Sequence, residues 1–124
     1  MVNPKIFKAY DIRGIYPDEL NEDVACKIGQ AFVEFTHAKK VVVGRDVRLS
    51  SPALSRSLIG GIISQGADVI DIGVVSTPML YQAVIFYQDS YGIMVTASHN
   101  PKEYNGFKLC KKNAVMLNKN TGIK

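Results

Sequence analysis

Three times along this 124-residue chain, a short β-branched or extended run is followed by a segment whose apolar residues recur every three or four positions. That alternation restricts the fold more than any other feature. A period of two means a strand and a period near 3.6 means a helix. Strands separated by helices must cross over, so they lie mostly parallel with helices packed on the sheet. The expected fold class is α/β: a layered single domain over 1–124, with a mixed, largely parallel sheet of about four strands covered by helices.

Each element has its own local signal. Residues Lys5 to Ile15 read as extended, and Gly14 permits a change of direction. Asn21 is a good N-cap, with Glu22 and Asp23 where a helix dipole favours acids. Val24, Ala25, Ile28, Ala31, Phe32 and Phe35 follow at helical spacing, and the helix should end near His37. Val41, Val42 and Val43 read as a buried strand, and Gly44 to Arg48 as a polar loop. Ser51-Pro52 and Thr77-Pro78 are both helix starts. The first leads into Leu54, Leu58, Ile59, Ile62 and Ile63 with a stop at Gly66; the second leads into Leu80, Ala83, Val84 and Tyr87. Val69 to Val75 and Tyr91 to Val95 are further strands. Asn105-Gly106 should turn the chain before a last strand at Phe107–Cys110, and the residues from Asn113 onward carry no pattern.

In open α/β sheets, ligands collect at loops beyond the carboxyl ends of strands. The run Val95-Thr96-Ala97-Ser98-His99-Asn100-Pro101 is such a loop. Small residues admit a substrate, Pro101 fixes the backbone, and Lys102 and Lys108 can neutralise an arriving phosphoryl group. A Ser-His-Asp triad is disfavoured, because adjacent side chains in extended backbone point apart. Asn100 reads as a turn-holding residue, and Arg45, Asp46 and Arg48 as a local ion-pair network.

Composition narrows the classes further. The chain is 47% hydrophobic and 21% charged, without an apolar run of bilayer length or a signal-type N-terminus, so a cytoplasmic protein without a membrane role is expected. Cys26 and Cys110 have no metal-binding spacing and read as reduced, packed thiols. The net charge of +4 is uneven: residues 98–124 hold six lysines against one glutamate. No aromatic ladder or nucleic-acid motif accompanies that bias, so no nucleic-acid partner is expected.

Two separated strings also carry a resemblance. Thr96-Ala97-Ser98-His99-Asn100-Pro101, with Glu103 to Lys108 behind it, resembles the phosphoserine loop of the α-D-phosphohexomutases. Phe7-Lys8-Ala9-Tyr10-Asp11-Ile12-Arg13-Gly14 resembles the N-terminal signature of the same family, in its phosphomannomutase/phosphoglucomutase branch. The resemblance implies the first of four domains in an intramolecular phosphotransferase. Such an enzyme interconverts hexose 1-phosphates and 6-phosphates through a phosphoserine and a hexose bisphosphate. It implies Ser98 as the phosphoryl carrier, Lys108 as a catalytic neighbour, and Tyr10 and Arg13 as substrate-binding residues; His99, from its own chemistry, reads either as a catalytic donor or proton shuttle or as a loop-ordering hydrogen-bonding residue. Mg²⁺ would bind partly through the Ser98 phosphate; its carboxylate ligands, an Asp-x-Asp-x-Asp-type cluster in the family's second domain, have no counterpart here. The implied partners are a phosphorylated hexose and the other domains, without which this chain should be inactive. Two alternatives stay open: a phosphoglucosamine mutase domain, disfavoured by Ala9-Tyr10-Asp11, and a non-catalytic phosphosugar-binding module.

Overall fold

In the computed structural model, the residues described are 11–97, 100–111 and 115–116. They form β1 (Asp11–Ile15), α1 (Glu22–Thr36), β2 (Lys40–Arg45), α2 (Ser51–Ser64), β3 (Asp68–Val74), α3 (Thr77–Phe86), β4 (Tyr91–Val95), β5 (Tyr104–Lys111) and the two-residue β6 (Val115–Met116). The strand order is β1-β5-β4-β2-β3, with β6 also paired to β5. Strands β3, β2 and β4 are parallel, while β5 is antiparallel to β4, β1 and β6. The expected mixed α/β sheet is therefore present, with five longer strands and β6 where about four strands were expected.

The pleat sorts side chains to two sides. Val41, Val43, Ile93, Val95, Phe107 and Leu109 face α1 and α2, with Ile12 from β1, in one buried cluster. Val42, Met94 and Cys110 point the other way and pack with Leu80 and Val84 of α3. The result is three layers, two helices on one face and one on the other. Strands buried on both faces need continuous apolar runs, and Val41 to Val43 is one.

Helix boundaries follow the caps. Asn21 Oδ1 accepts from the Val24 N–H at 3.0 Å, and His37 closes α1 in the left-handed conformation at φ 57°. Ser76, rather than Thr77, caps α3, its hydroxyl accepting from the Met79 N–H. Helix α2 starts beside Ser50, which makes no capping bond through its side chain and instead accepts from Asn105 Nδ2 at 2.8 Å. The buried faces depart from the sequence reading at Ala31, Phe35 and Ile63, which are exposed, whereas Val33 is buried.

One expectation is overturned. Asn105-Gly106 is not a turn but lies inside β5, both residues buried. Asn-Gly is a turn signal because both residues tolerate positive φ. Here the pair is used otherwise: a Cβ on Gly106 would stand 1.9 Å from the Ile12 carbonyl oxygen, so glycine lets β1 approach β5. The buried Asn105 amide meanwhile donates to the hydroxyls of Ser50 and Ser51. The chain reverses earlier, where the Tyr104 N–H bonds the Pro101 carbonyl at 2.9 Å.

Candidate functional site

Strands β2, β3 and β4, all parallel, end on the same edge, so the segments after Arg45, Val74 and Val95 converge there. They surround an open pocket of about 510 Å³, whose lining includes Asp46, Arg48, Ser76, Thr96, Asn100 and Lys102. This is the end of the sheet at which the sequence places Ser98. Ser98 and His99 themselves lie outside the described residues, as does Tyr10. On either side of Ser98 and His99, Thr96 and Ala97 are buried, and the Asn100 N–H bonds the Ala97 carbonyl at 3.0 Å. The Thr96 N–H reaches the Gly106 carbonyl at 2.9 Å, which closes the base of the loop.

Arg13 and Lys108 are brought together by strand pairing. In the β1–β5 register Arg13 lies opposite Gly106, and Asp11 lies opposite Lys108. Paired residues share a sheet face, so Arg13 and Lys108 are diagonal neighbours on the face opposite Phe107 and Ile12. Both are partly buried. Gly106 adds no side chain between them, and a Cβ there would meet the main chain of Ile12 and Arg13. Arg13 Nη1 donates to Asn100 Oδ1, two positions beyond Ser98. This bond ties the Asn100 side chain to β1.

The loop between β2 and α2 supplies residues whose part in the site the sequence did not reveal. The expected ion pair is present, Arg48 Nε to Asp46 Oδ2 at 3.2 Å. The rest of the Arg48 guanidinium reaches across to the Ser98 loop. It donates to the carbonyls of Asn100 at 2.8 Å, Pro101 at 2.7 Å and Tyr104 at 3.1 Å. Asp46 is held in turn by the Ser51 hydroxyl at 2.6 Å and the Arg48 N–H at 3.0 Å. The carbonyl partners of Arg48 lie more than 50 positions away in the chain, so no local pattern could expose them. Arg45, by contrast, turns away and pairs with Asp71 at 3.6 Å.

Chemically, the surroundings of the loop bring together basic side chains, Arg13 and Lys108 on the sheet face and Lys102 in the pocket lining, with little carboxylate. Among the described residues no three His, Cys, Asp or Glu side chains are grouped to hold a metal ion. Asp46, a carboxylate in the pocket lining, is already committed to Arg48 and Ser51. The described residues alone therefore do not fit a hard-cation site, which needs several oxygen ligands. No helix among them is long and apolar enough to cross a membrane.

Fold and site together define a three-layer α/β domain with a pocket and a loop beyond the carboxyl ends of its parallel strands. Comparison with known proteins gives that class a family. Residues 4–124 match the family model described as phosphoglucomutase/phosphomannomutase, alpha/beta/alpha domain I, and the chain belongs to this family. It is 49% identical over 118 residues to a phosphomannomutase of Klebsiella pneumoniae, covering 95% of this chain and 75% of that protein. It is also 49% identical to a phosphomannomutase of Escherichia coli, again over 95% of this chain but only 26% of the relative. A crystal structure of a phosphoglucomutase/phosphomannomutase family protein from Burkholderia thailandensis superposes with a TM-score of 0.86 at 42% identity. That match covers 94% of this chain and 28% of the other. The chain thus spans about a quarter of the longer relatives.

Proposed function

We propose that this chain is the phosphoserine-carrying domain of a phosphomannomutase/phosphoglucomutase acting on hexose phosphates in the cytoplasm. The observation that carries the reading is the juxtaposition of Arg13 and Lys108 on one sheet face, with Arg13 bonded to the loop that holds Ser98. In the proposed step, a sugar hydroxyl oxygen attacks the phosphorus of phosphorylated Ser98. The new P–O bond forms as the bond to the serine oxygen breaks, giving a hexose bisphosphate. The hydroxyl proton passes to a neighbouring base, His99 or Lys108, and returns to the serine oxygen. Transfer of the other phosphoryl group of the bisphosphate to Ser98 completes the interconversion. Arg13 offsets the charge that gathers on the phosphoryl oxygens, and Tyr10 borders the sugar. Mg²⁺ would neutralise charge on the phosphoryl group when bound; its carboxylate ligands would come from a segment beyond the described residues.

The test is phosphopeptide mass spectrometry after incubation of the full-length polypeptide with glucose 1,6-bisphosphate. Phosphate on Ser98, abolished by Ser98→Ala, is the expected result; an unmodified Ser98 would overturn the proposal. Arg13→Ala should slow mannose 1-phosphate turnover by about 100-fold, the usual cost of removing one charge-stabilising donor. Turnover of glucosamine phosphate with none of mannose or glucose phosphate would instead assign the phosphoglucosamine branch. Saturable phosphosugar binding without any Ser98 phosphate would assign a binding module.

A further inference from the structure

We infer that Arg48 is a positioning residue for the phosphoryl-carrying loop, with Asp46 setting the direction of its guanidinium; the catalytic part of this inference rests on the reading of Ser98 above. The argument begins with donors. A guanidinium offers five N–H groups in one rigid plane, and Arg48 uses them on three main-chain carbonyls and one carboxylate. The carbonyls belong to Asn100, Pro101 and Tyr104, so a single side chain fixes the course of the backbone just after Ser98. The Arg48 side chain is only 14% exposed, and little water competes for these charge-assisted bonds.

The anchor of this clamp is itself rigid. The Asp46 N–H bonds the Val95 carbonyl at 3.0 Å, which ties the clamp to the strand that leads into the loop. Ser51, completely buried at the start of α2, donates to the Asp46 carboxylate and accepts from Asn105 Nδ2. Both ends of the loop are therefore joined to the β2–α2 connection. Asn100 is gripped twice, its side chain by Arg13 and its carbonyl by Arg48. Through the bonds to Asn100, Pro101 and Tyr104, Arg48 acts on the main chain of the loop. Lysine cannot replace it, since an ammonium has three donors and no plane.

The test compares Arg48→Lys with Arg56→Ala, a change at an exposed arginine of α2. Hydrogen exchange on the 124-residue chain should show amides of residues 102–106 exchanging about tenfold faster in Arg48→Lys, with α1 and α2 amides unchanged. Arg56→Ala should alter neither. In the full-length polypeptide, Arg48→Lys should lower kcat by about 100-fold, the cost of a small misplacement, while KM for mannose 1-phosphate stays within about twofold. Unchanged loop exchange, or a rise spread evenly over the domain, would overturn the inference. So would a wild-type kcat in Arg48→Lys. If wild-type protein never carries phosphate on Ser98, the catalytic reading fails, whereas the exchange result still decides whether Arg48 positions the loop.

Discussion

Burial leaves Cys110 no exposed surface, and removing the thiolate from water pushes its pKa up from the ordinary 9.0 to about 11. Below the ordinary value both folded and unfolded chains hold the proton, so the group adds no pH dependence. Between those two values the unfolded chain releases its proton while the native one keeps it, so stability falls as pH rises. Cys110→Ala should therefore lose less stability than wild type on going from about pH 8 to about pH 10, measured by urea unfolding at each pH. Tyr16 shifts in the same direction, held protonated chiefly by its bond to Glu22, with burial adding to it. A second residue prediction concerns Asn105, whose amide donates to two hydroxyls. Asn105→Ala should lower the unfolding free energy by about 2 kcal/mol, because a buried polar network is left partly unsatisfied.

Helices α1 and α2 approach closely because two glycines remove side chains at their crossing. A Cβ on Gly61 would stand 2.1 Å from the Cys26 carbonyl oxygen, and one on Gly29 would stand 2.5 Å from that of Leu58. Gly60, one position away, has open space around its Cβ direction. Gly61→Ala should destabilise by about 3 kcal/mol or more, the helices being forced apart. Gly60→Ala should stabilise by about 0.5–1 kcal/mol through helix propensity, and the two midpoints in urea check both. Elements of this kind were legible in the sequence because capping, proline and periodicity are local signals: α1, α2, α3 and strands β2 to β4 fall where those signals place them. Asn105-Gly106 misled because its composition suits a turn, whereas tertiary packing against β1 and α2 needs a small residue beside a buried amide. Phe35 and Ile63 misled because a helical stripe does not say how far a neighbouring layer extends. The Arg48 clamp was invisible for a different reason: its bonds end on main-chain carbonyls, which any sequence could supply.

At the scale of the whole molecule, basic side chains and carboxylates are unequally supplied near the loop. The described residues provide an arginine, a lysine and a braced loop but no carboxylate cluster. We therefore expect the 124-residue chain alone to show no hexose phosphate interconversion in a coupled assay with glucose 1,6-bisphosphate and Mg²⁺. Turnover by that chain would refute the division of labour. The resemblance that named the family lay in two short strings, and both fall at the β1–β5–β4 side of the sheet. The β1–β5 pairing and the Arg13–Asn100 bond bring described residues of the two strings together.

That pairing also sets an order of assembly. Arg13 and Asn100 are separated by 87 positions, and β1 meets β5 only after almost the whole domain has been made. Closing so long a loop costs entropy before any contact repays it, whereas β2, α2, β3, α3 and β4 are joined by shorter connections. The edge strand should dock late on a preformed parallel core. Ile12→Val in β1 should then accelerate unfolding and leave the refolding rate nearly unchanged, a difference that stopped-flow chevrons resolve. A ribosome-bound chain that lacks β5 would offer β1 no strand to pair with, so the Arg13–Asn100 contact would have to wait for that strand.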